Sequence, residues 1–276
     1  MKRILAHCIA RTLQHFGLVL VPIEELKLRH RAEVNFANLC RAYEFRLSQL
    51  PESAVIHEDS MRDRLLSRQF GTPPSEAYYI IEALAQTADV PGDVCEFGVA
   101  QGELSALMAN EIRSSTKALH LFDSFEGLPK PGPNDTLIDD VLGLGTIDAY
   151  AGQMRSPETE VKARLAAVGF PVERFVIHKG YFCDLLDKQT GFPTRVSFAY
   201  VDFDFHDPIL EALHFLHQTT GRGSVIIVDD YDFFSSGAKA AVDSFVLEKN
   251  RDHKTYSIGI PDKRVAHFAI LKRMSD

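Results

Sequence analysis

Short apolar runs alternate with segments of helical periodicity from residue 94 onward. The runs are rich in β-branched and aromatic residues, which is typical of strands buried on both faces. Strands are predicted at residues 94–97, 118–123, 174–178, 196–202 and 224–228. Helices are predicted between and after them at residues 102–113, 158–168, 182–188, 208–218 and 238–249. The alternation predicts right-handed crossovers and a mainly parallel, doubly wound α/β sheet.

The two last apolar runs, residues 255–260 and 265–271, predict strands of a different kind. Too few residues separate them for a crossover helix, so they predict an antiparallel hairpin at one edge of the sheet. Residues 1–90 lack the alternation of strands and helices. They predict an N-terminal helical extension, or cap, that precedes a sheet domain of residues 91–276.

Within this extension, helices are predicted at residues 4–16 and 26–50, and a third helix begins after the start signal Thr72-Pro73-Pro74. A polar connection is predicted between the second and third helices. The apolar residues of the first helix lie on one face, and such a stripe needs cover from the body of the protein or from a partner subunit. We therefore expect a homo-oligomer, with binding to a membrane surface as the alternative.

The N-terminus imitates a secretory signal, since Lys2 and Arg3 precede Ile4 and Leu5. Polar residues interrupt the apolar stretch that a cleavable signal needs, and no later stretch is long and apolar enough to span a bilayer. Four cysteines lie far apart without C-x-x-C spacing, which favours reduced thiols in a cytoplasmic protein over disulfides or zinc. The net charge of -8, with scattered basic residues, gives no electrostatic footprint for nucleic acid.

Two glycines follow the first predicted strand, in the stretch EFGVAQG at residues 96–102. Glycines at a helix N-terminus let the backbone approach a ligand closely. The G-x-G-x-x-G pattern of dinucleotide sites is absent, because Ala100 stands where the middle glycine is needed. Glu96 would repel a phosphate but can pair with an ammonium group, which suits the amino-acid end of S-adenosylmethionine. The alternative is that Gly98 and Gly102 only form a tight turn.

A second acidic residue, Asp123, ends the second predicted strand. An acidic side chain at this position of a doubly wound nucleotide-binding fold accepts hydrogen bonds from ribose hydroxyls. The sequence therefore predicts that one cofactor lies across the ends of the first two strands, with its ribose on Asp123.

Aspartates also close the last two parallel strands, Asp202 after one and the pair Asp229-Asp230 after the other. The carboxyl ends of parallel strands meet at one edge of the sheet, so these three carboxylates are predicted to converge on one hard cation. The alternative is that each caps the helix that follows it. For Asp207 the capping interpretation is favoured, because Pro208 follows it at the first helical position.

These stretches resemble the macrocin O-methyltransferase family, whose members are metal-dependent sugar-methylating enzymes of antibiotic biosynthesis. The most specific part is the string FDSFEGLP at residues 122–129. The resemblance covers roughly residues 94–248 and implies a Rossmann-like class I methyltransferase fold that uses S-adenosylmethionine and Mg²⁺. It also implies a metal site of Asp202, Asp229 and Asp230. Ser124 and Phe125 of the string are expected to join the cofactor-binding residues.

The resemblance implies transfer of a methyl group to a sugar hydroxyl of a glycosylated natural product or glycan. A hydroxyl is a poor nucleophile because it is protonated at neutral pH, so catalysis must act on the acceptor. A magnesium ion lowers the pKa of a bound hydroxyl, and a nearby carboxylate removes the proton. Asp202 is the predicted base as well as a ligand. His206 is the competing base, and Asp204 is either a neighbour of the site or merely solvated.

The chain departs from the family pattern at two places beside the predicted pocket. Ala100 and Gln101 replace an aromatic residue and an arginine, and Phe205-His206-Asp207 replaces Leu-Tyr-Glu. A loop at residues 130–156 has the length and composition of an active-site lid, with a disordered insertion as the alternative. Two other classes of function stay open, a non-catalytic S-adenosylmethionine-binding partner and a nucleotide-dependent oxidoreductase.

Overall fold

The computed structural model describes residues 60–69, 72–261 and 266–275 of the 276-residue chain. The helices predicted at residues 4–16 and 26–50 lie outside the described residues. The predicted boundary between extension and sheet domain near residue 90 stays a prediction.

A seven-stranded sheet forms the centre of the described part of the chain. The strands are β1 Asp93–Phe97, β2 Leu119–Asp123, β3 Phe175–Lys179, β4 Val196–Val201, β5 Thr220–Val228, β6 Tyr256–Gly259 and β7 Ala269–Arg273. Their order is β3-β2-β1-β4-β5-β7-β6. The first five strands are parallel, and β7 pairs antiparallel with both β5 and β6. The predicted doubly wound sheet with a C-terminal hairpin at its edge is confirmed.

Helices connect the parallel strands and cover the sheet. They are α1 Ser60–Leu66, α2 Pro74–Gln86, α3 Glu103–Ile112, α4 Glu158–Ala167, α5 Phe182–Leu186, α6 His206–Thr219 and α7 Ser236–Lys249. Two short 3₁₀ turns, Ile147–Tyr150 and Val172–Arg174, lie beside α4 in the chain. Among the described residues, no helix has the length and apolar character needed to cross a bilayer.

The structure corrects the sequence prediction in two segments. Helix α1 occupies part of the predicted polar connection, where Arg62 forms a buried ion pair with Glu111 of α3. The helix has too few apolar residues to be recognised from its sequence pattern. The ion pair with Glu111, 49 residues away in the chain, helps to stabilise it. Helix α6 begins at His206, and its N-cap is Phe205 without a side-chain cap. Asp207 is therefore not the cap, because the helix starts one residue before it.

Aromatic side chains fill the space between the sheet and α5 and α6. The rings of Phe97 and Phe122 stack with their centroids 4.6 Å apart, and both rings contact Phe182 and Phe215 edge-on. Every residue of β4 is buried, as the unbroken apolar run predicts for a strand covered on both faces. This packing fixes the strand ends from which the polar loops emerge.

The chain reverses its direction of winding between β1 and β4. Strand β1 pairs with β2 on one side and with β4 on the other, and ligands of open α/β sheets bind at such a switch point. Here the two loops lie in direct contact, since the amide of Asp202 donates to the carbonyl of Phe97 at 2.7 Å. A Cβ atom added to Gly98, whose φ is +86°, would lie 1.8 Å from the carbonyl oxygen of Asp202. Glycine is therefore required there.

Substitution of Gly98 by alanine tests how closely the two loops pack. We expect Gly98→Ala to lower the free energy of unfolding by about 3 kcal/mol or more, because strain at positive φ adds to a backbone clash. The control is Gly143→Ala, where φ is +69° and nothing lies within 4 Å of an added Cβ. That variant carries the strain without the clash and should lose about 1 kcal/mol in urea unfolding. Equal losses in the two variants would contradict the close approach.

Candidate functional site

Six acidic side chains gather at the carboxyl edge of the sheet. Glu96 belongs to β1 and Asp123 ends β2, while four aspartates follow the next two strands of the edge. The four are Asp202 and Asp204 after β4, and Asp229 and Asp230 after β5. The four aspartates lie together because β4 and β5 are paired parallel strands that end at the same edge of the sheet. Strand β1, which carries Glu96, pairs with β4 on its other side.

Three of these aspartates form the tightest group. One carboxylate oxygen each from Asp202, Asp204 and Asp230 lies within 4.8 Å of the other two. Asp204 and Asp230 have left-handed backbone conformations, with φ of 62° and 56°. Non-glycine residues in this conformation cost free energy and are frequent at functional sites. The metal site predicted from the sequence contained Asp229 instead of Asp204. In the structure Asp204 belongs to the tightest group, and Asp229 lies outside it.

Burial and neighbouring charges both disfavour the charged form of these three carboxyls. Burial, followed by the charge of Asp229, raises the pKa of both Asp202 and Asp230 well above the ordinary range of an aspartate. Burial, followed by the charge of Asp202, does the same for the pKa of Asp204. Several carboxylates that share one partly buried space favour either bound protons or a bound cation. Their oxygen atoms are ligands of the kind that Mg²⁺ prefers.

Asp229 is held differently from its neighbours. Its carboxylate accepts a hydrogen bond from the hydroxyl of Tyr200 on β4, and the backbone amide of Asp230 also donates to it. Burial raises the pKa of Asp229, and these two hydrogen bonds oppose the shift. The pKa of Tyr200 is raised well above its usual value by burial first and by Asp229 second. Tyr200 was not recognised as a site residue, because it is one apolar-strand residue among several.

Glu76 of α2 is a further acidic residue beside this group. Its side chain is buried, and its Oε1 accepts a hydrogen bond from the backbone amide of His267 at 3.0 Å. Burial, and then the charge of Asp229, raise its pKa from 4.5 to about 8. The sequence held one signal for it, since Glu76 lies four residues before buried Ile80 on the apolar face of α2.

The glycine loop after β1 is fastened to the end of β2. The Oδ2 atom of Asp123 accepts hydrogen bonds from the amides of Val99 at 2.7 Å and Ala100 at 2.9 Å. Its Oδ1 atom accepts from the amide of Phe125 at 2.6 Å. Asp123 thereby holds two predicted cofactor loops in one arrangement. Its predicted contact with a ribose stays a prediction.

The other predicted cofactor residues lie along these two loops. Glu96 is buried and accepts a hydrogen bond from the hydroxyl of Ser105, and burial raises its pKa well above the ordinary value. Gly102 has a φ of +78°, and an added Cβ would lie 3.0 Å from Val161 of α4. Ser124 donates to the carbonyl of Gly127 at 3.1 Å and shapes the turn. Phe125 is buried, with a φ of 57°.

His206, the predicted alternative base, lies beside the loop at residues 130–156. Its backbone amide donates to Oδ1 of buried Asp135 at 2.8 Å, and its ring Nδ1 lies 2.7 Å from Oδ1 of Asp207. Asn134 contacts the same ring nitrogen at 3.3 Å. The space for Asp135 exists because Gly237 of α7 has no side chain, since a Cβ there would lie 1.8 Å from the Asp135 carboxylate. The loop therefore closes against the residues that follow β4 and β5.

Comparison with known proteins adds a family to this geometry. Residues 79–260 match the family described as Macrocin-O-methyltransferase (TylF). No curated protein sequence matches the chain significantly.

Solved structures share the fold at low sequence identity. The O-methyltransferase NovP is 20% identical with a TM-score of 0.62, over 84% of this chain and 99% of NovP. The calicheamicin methyltransferase CalS11 is 20% identical with a TM-score of 0.57, over 86% of this chain and 91% of CalS11. TomG from Streptomyces achromogenes, an O-methyltransferase in complex with SAM, is 13% identical with a TM-score of 0.50, over 83% of this chain and 99% of TomG.

The raised pKa of Glu76 predicts a specific pH dependence of stability. Between pH 4.5 and about 8 the folded protein retains a proton that the unfolded chain releases, so the stabilising contribution present below pH 4.5 is lost as the pH rises to about 8. We expect Glu76→Gln to flatten the decline in melting temperature over this range in buffer with a metal chelator. The control is Glu82→Gln on the same helix, which should keep the wild-type slope. If the melting temperature of Glu76→Gln declined with pH as steeply as that of the wild type, the raised pKa of Glu76 would be contradicted.

Proposed function

The chain belongs to the macrocin O-methyltransferase family, and we propose that it methylates a sugar hydroxyl of a glycosylated natural product or glycan in a Mg²⁺-dependent reaction. As a member of this family it is a S-adenosylmethionine-dependent O-methyltransferase. The observation that carries the proposal is the group of Asp202, Asp204 and Asp230, which lies at the switch point of the sheet next to the glycine loop. A homo-oligomeric, cytoplasmic enzyme remains our expectation.

Residues of the two loops after β1 and β2 are proposed to bind the cofactor. Gly98 and Gly102 are proposed to border the cofactor at the N-terminus of α3, and their lack of side chains lets this loop pack against Asp202 and Val161. Asp123 keeps the loop in place through three backbone amides, and the one lone pair that remains on its Oδ1 atom is proposed to accept from a ribose hydroxyl. An ammonium group near Glu96 would favour the charged form of a carboxyl that burial otherwise keeps protonated.

Other residues of these loops shape the same cofactor site. Ser124 and Phe125 form the turn that borders it. Ala100 and Gln101 stand where relatives carry an aromatic residue and an arginine, so less bulk and less positive charge border the cofactor in this chain.

Asp202, Asp229 and Asp230 are proposed to hold the metal ion, with Asp204 as the competing third ligand. Asp202 and Asp230 belong both to this set and to the group brought within 4.8 Å. In support, the charged form of these carboxyls is disfavoured by burial and mutual repulsion, both of which a divalent cation would offset. When bound, Mg²⁺ supplies the positive charge that lowers the pKa of an acceptor hydroxyl. Tyr200 orients the Asp229 carboxylate through its hydroxyl.

Two residues compete for the role of general base. Asp202 lies in the carboxylate group, so its carboxylate would lie close to an acceptor hydroxyl bound at the same site. His206 has its Nδ1 atom on the Asp207 carboxylate at 2.7 Å, which leaves Nε2 as the proton acceptor when Nδ1 carries the hydrogen. We propose Asp202 as the base. His206 stands where relatives often carry tyrosine.

The sugar part of the proposal is supported by relatives with this fold. A structure of CalS11 without ligand is described as that of a TDP-rhamnose 3'-O-methyltransferase of calicheamicin biosynthesis; it is 19% identical with a TM-score of 0.51, over 86% of this chain and 93% of CalS11. Methyl transfer from labelled S-adenosylmethionine to a panel of sugars and non-sugars tests the proposal. The panel contains nucleoside-diphosphate sugars, glycosides, catechols and simple polyols, each assayed with Mg²⁺ and with a chelator.

We expect a methylated sugar product only with Mg²⁺. Turnover of non-sugar acceptors alone would contradict the sugar assignment, and full turnover in the chelator would contradict the metal mechanism.

Metal binding should be visible in thermal stability. We expect Mg²⁺ at about 100-fold excess over its dissociation constant to add about 2.7 kcal/mol, and so to raise the melting temperature by roughly 5–10 °C. Asp230→Asn should melt above the wild type in chelator, because it relieves repulsion, and should lose the response to Mg²⁺. The matched control is Asp148→Asn, an exposed aspartate of the long loop.

Comparing Asp204→Asn with Asp229→Asn identifies the third ligand, since its loss weakens the response. A full response to Mg²⁺ in Asp230→Asn would place the ion elsewhere.

Cofactor affinity should depend on Asp123. Asp123→Ala removes three hydrogen bonds within the loops and the proposed contact with the ribose. We expect the affinity for S-adenosylmethionine to fall by about 10- to 100-fold in calorimetry, in line with loss of hydrogen bonds to a charged acceptor. Asp139→Ala, an exposed aspartate of the long loop, is the control. Unchanged affinity in Asp123→Ala would move the ribose to another residue.

A further inference from the structure

The segment of residues 138–144, called the loop apex below, exposes four large apolar side chains. Ile138 is 51% exposed and Leu142 is 49% exposed, while Val141 and Leu144 are 44% and 37% exposed. Scattered single exposures of this kind are ordinary on a protein surface. Four of them within seven residues of one loop are a denser group than scattered exposure gives, and groups of exposed apolar side chains are typical of binding surfaces.

Hydrogen bonds hold the loop apex in this exposed arrangement. The carboxylate of Asp140 accepts from the amides of Leu144 and Gly145, each at 2.8 Å, and from the hydroxyl of Tyr150 at 2.7 Å. The same hydroxyl accepts from the amide of Leu142 at 2.9 Å, and Tyr150 itself is fully buried. The backbone is thus fixed with its apolar side chains in water. If the loop apex packed onto the protein surface, these side chains would be buried. The hydrogen bonds of Asp140 and Tyr150 therefore determine the exposed arrangement.

The loop apex is joined to the rim of the carboxylate site. The amide of Ile138 donates to the carbonyl of Phe234 at 2.9 Å, and Phe234 lies in the loop that follows Asp230. The ring of Phe234 packs with Tyr150 and with Phe205, the residue after Asp204. A ligand that occupies the carboxylate site and extends outward on this side would meet the apex.

The charges around the loop apex favour a neutral ligand. Residues 131–154 contain no lysine or arginine, whereas Asp139 and Asp140 lie within the apex and Asp148 lies nearby. An anionic membrane surface or a phosphorylated lipid would be repelled, because both need basic residues for attraction. A neutral apolar group matches both the exposed side chains and the surrounding charge.

We propose that the loop apex binds the neutral, apolar aglycone of the glycosylated acceptor, whose sugar then reaches the carboxylate group. This inference rests on the proposed function and adds the part of the substrate that lies outside the reacting sugar. A glycoside whose aglycone is small or polar would gain no affinity from the loop apex. The enzyme would therefore discriminate between glycosides by the apolar group attached to the sugar.

The test compares two glycosides that share a sugar and differ in their apolar part. Binding of octyl β-D-glucopyranoside, below its micelle concentration, and of methyl β-D-glucopyranoside is measured by calorimetry. The variant Ile138→Ser/Leu142→Ser keeps both backbone amides that fix the apex. The control is Val172→Ser/Leu247→Ser, at exposed apolar residues elsewhere, which are 75% and 77% exposed.

We expect the wild type and the control to bind the octyl glycoside about tenfold more tightly than the methyl glycoside, as for burial of about two methylene groups of the octyl chain. The apex variant should bind the two alike. With the sugar that is turned over, the apex variant should raise KM for the octyl glycoside and leave kcat unchanged. Equal affinities in the wild type, or an apex variant that behaves like the control, would overturn the proposal.

Two further outcomes would replace the aglycone with another occupant. Sedimentation of the wild type, but not of the apex variant, with phosphatidylcholine vesicles would identify a membrane surface. A smaller sedimentation coefficient in the apex variant would identify a second copy of this chain. Either result overturns the proposal.

The failure of this inference can be told apart from the failure of the proposed function, because the binding measurement needs no turnover. Octyl-selective binding without methylation of any sugar would refute the proposed function. Methylation of a sugar without octyl-selective binding would refute only this inference.

Discussion

The repulsion among partly buried carboxylates at the ends of β4 and β5 is the constraint on which this site depends. Asp202, Asp204 and Asp230 bring oxygens within 4.8 Å of one another, and burial raises the pKa of each. Charge in such a space is costly unless a proton or a cation neutralises it. The fold accepts this cost because two paired, fully buried strand ends hold the aspartates in place. A divalent cation bound among them would offset this cost.

Residues of neighbouring elements hold these aspartates and the adjacent glycine loop in place. Gly98 allows the glycine loop to touch the backbone of Asp202, and Asp123 fastens that loop to the end of β2. Behind the aspartates, Glu76 lies close enough to add to the repulsion, and Tyr200 fixes Asp229. The residues proposed to bind cofactor and metal therefore share one support, beside the long loop that closes on α6 and α7.

Sequence patterns predicted the sheet because its strands are short, buried and apolar, and because aspartates interrupt these runs at their ends. The same patterns missed α1, whose stability depends on the distant Arg62–Glu111 pair. They also left open the role of Asp204, because local spacing does not indicate a left-handed backbone, and they overlooked Glu76, whose only signal was its position on the apolar face of α2. Contacts between residues far apart in the chain decide such details.

Proton release on Mg²⁺ binding tests whether these carboxylates hold a divalent cation. Calorimetric titration of the protein with Mg²⁺ near pH 7, in buffers of different ionisation enthalpy, gives the number of protons released per ion. Carboxyls with raised pKa values must lose protons when a cation binds them, so the account predicts one site with net proton release that is smaller in Asp230→Asn. Absence of Mg²⁺ binding, or binding without proton release, would contradict it.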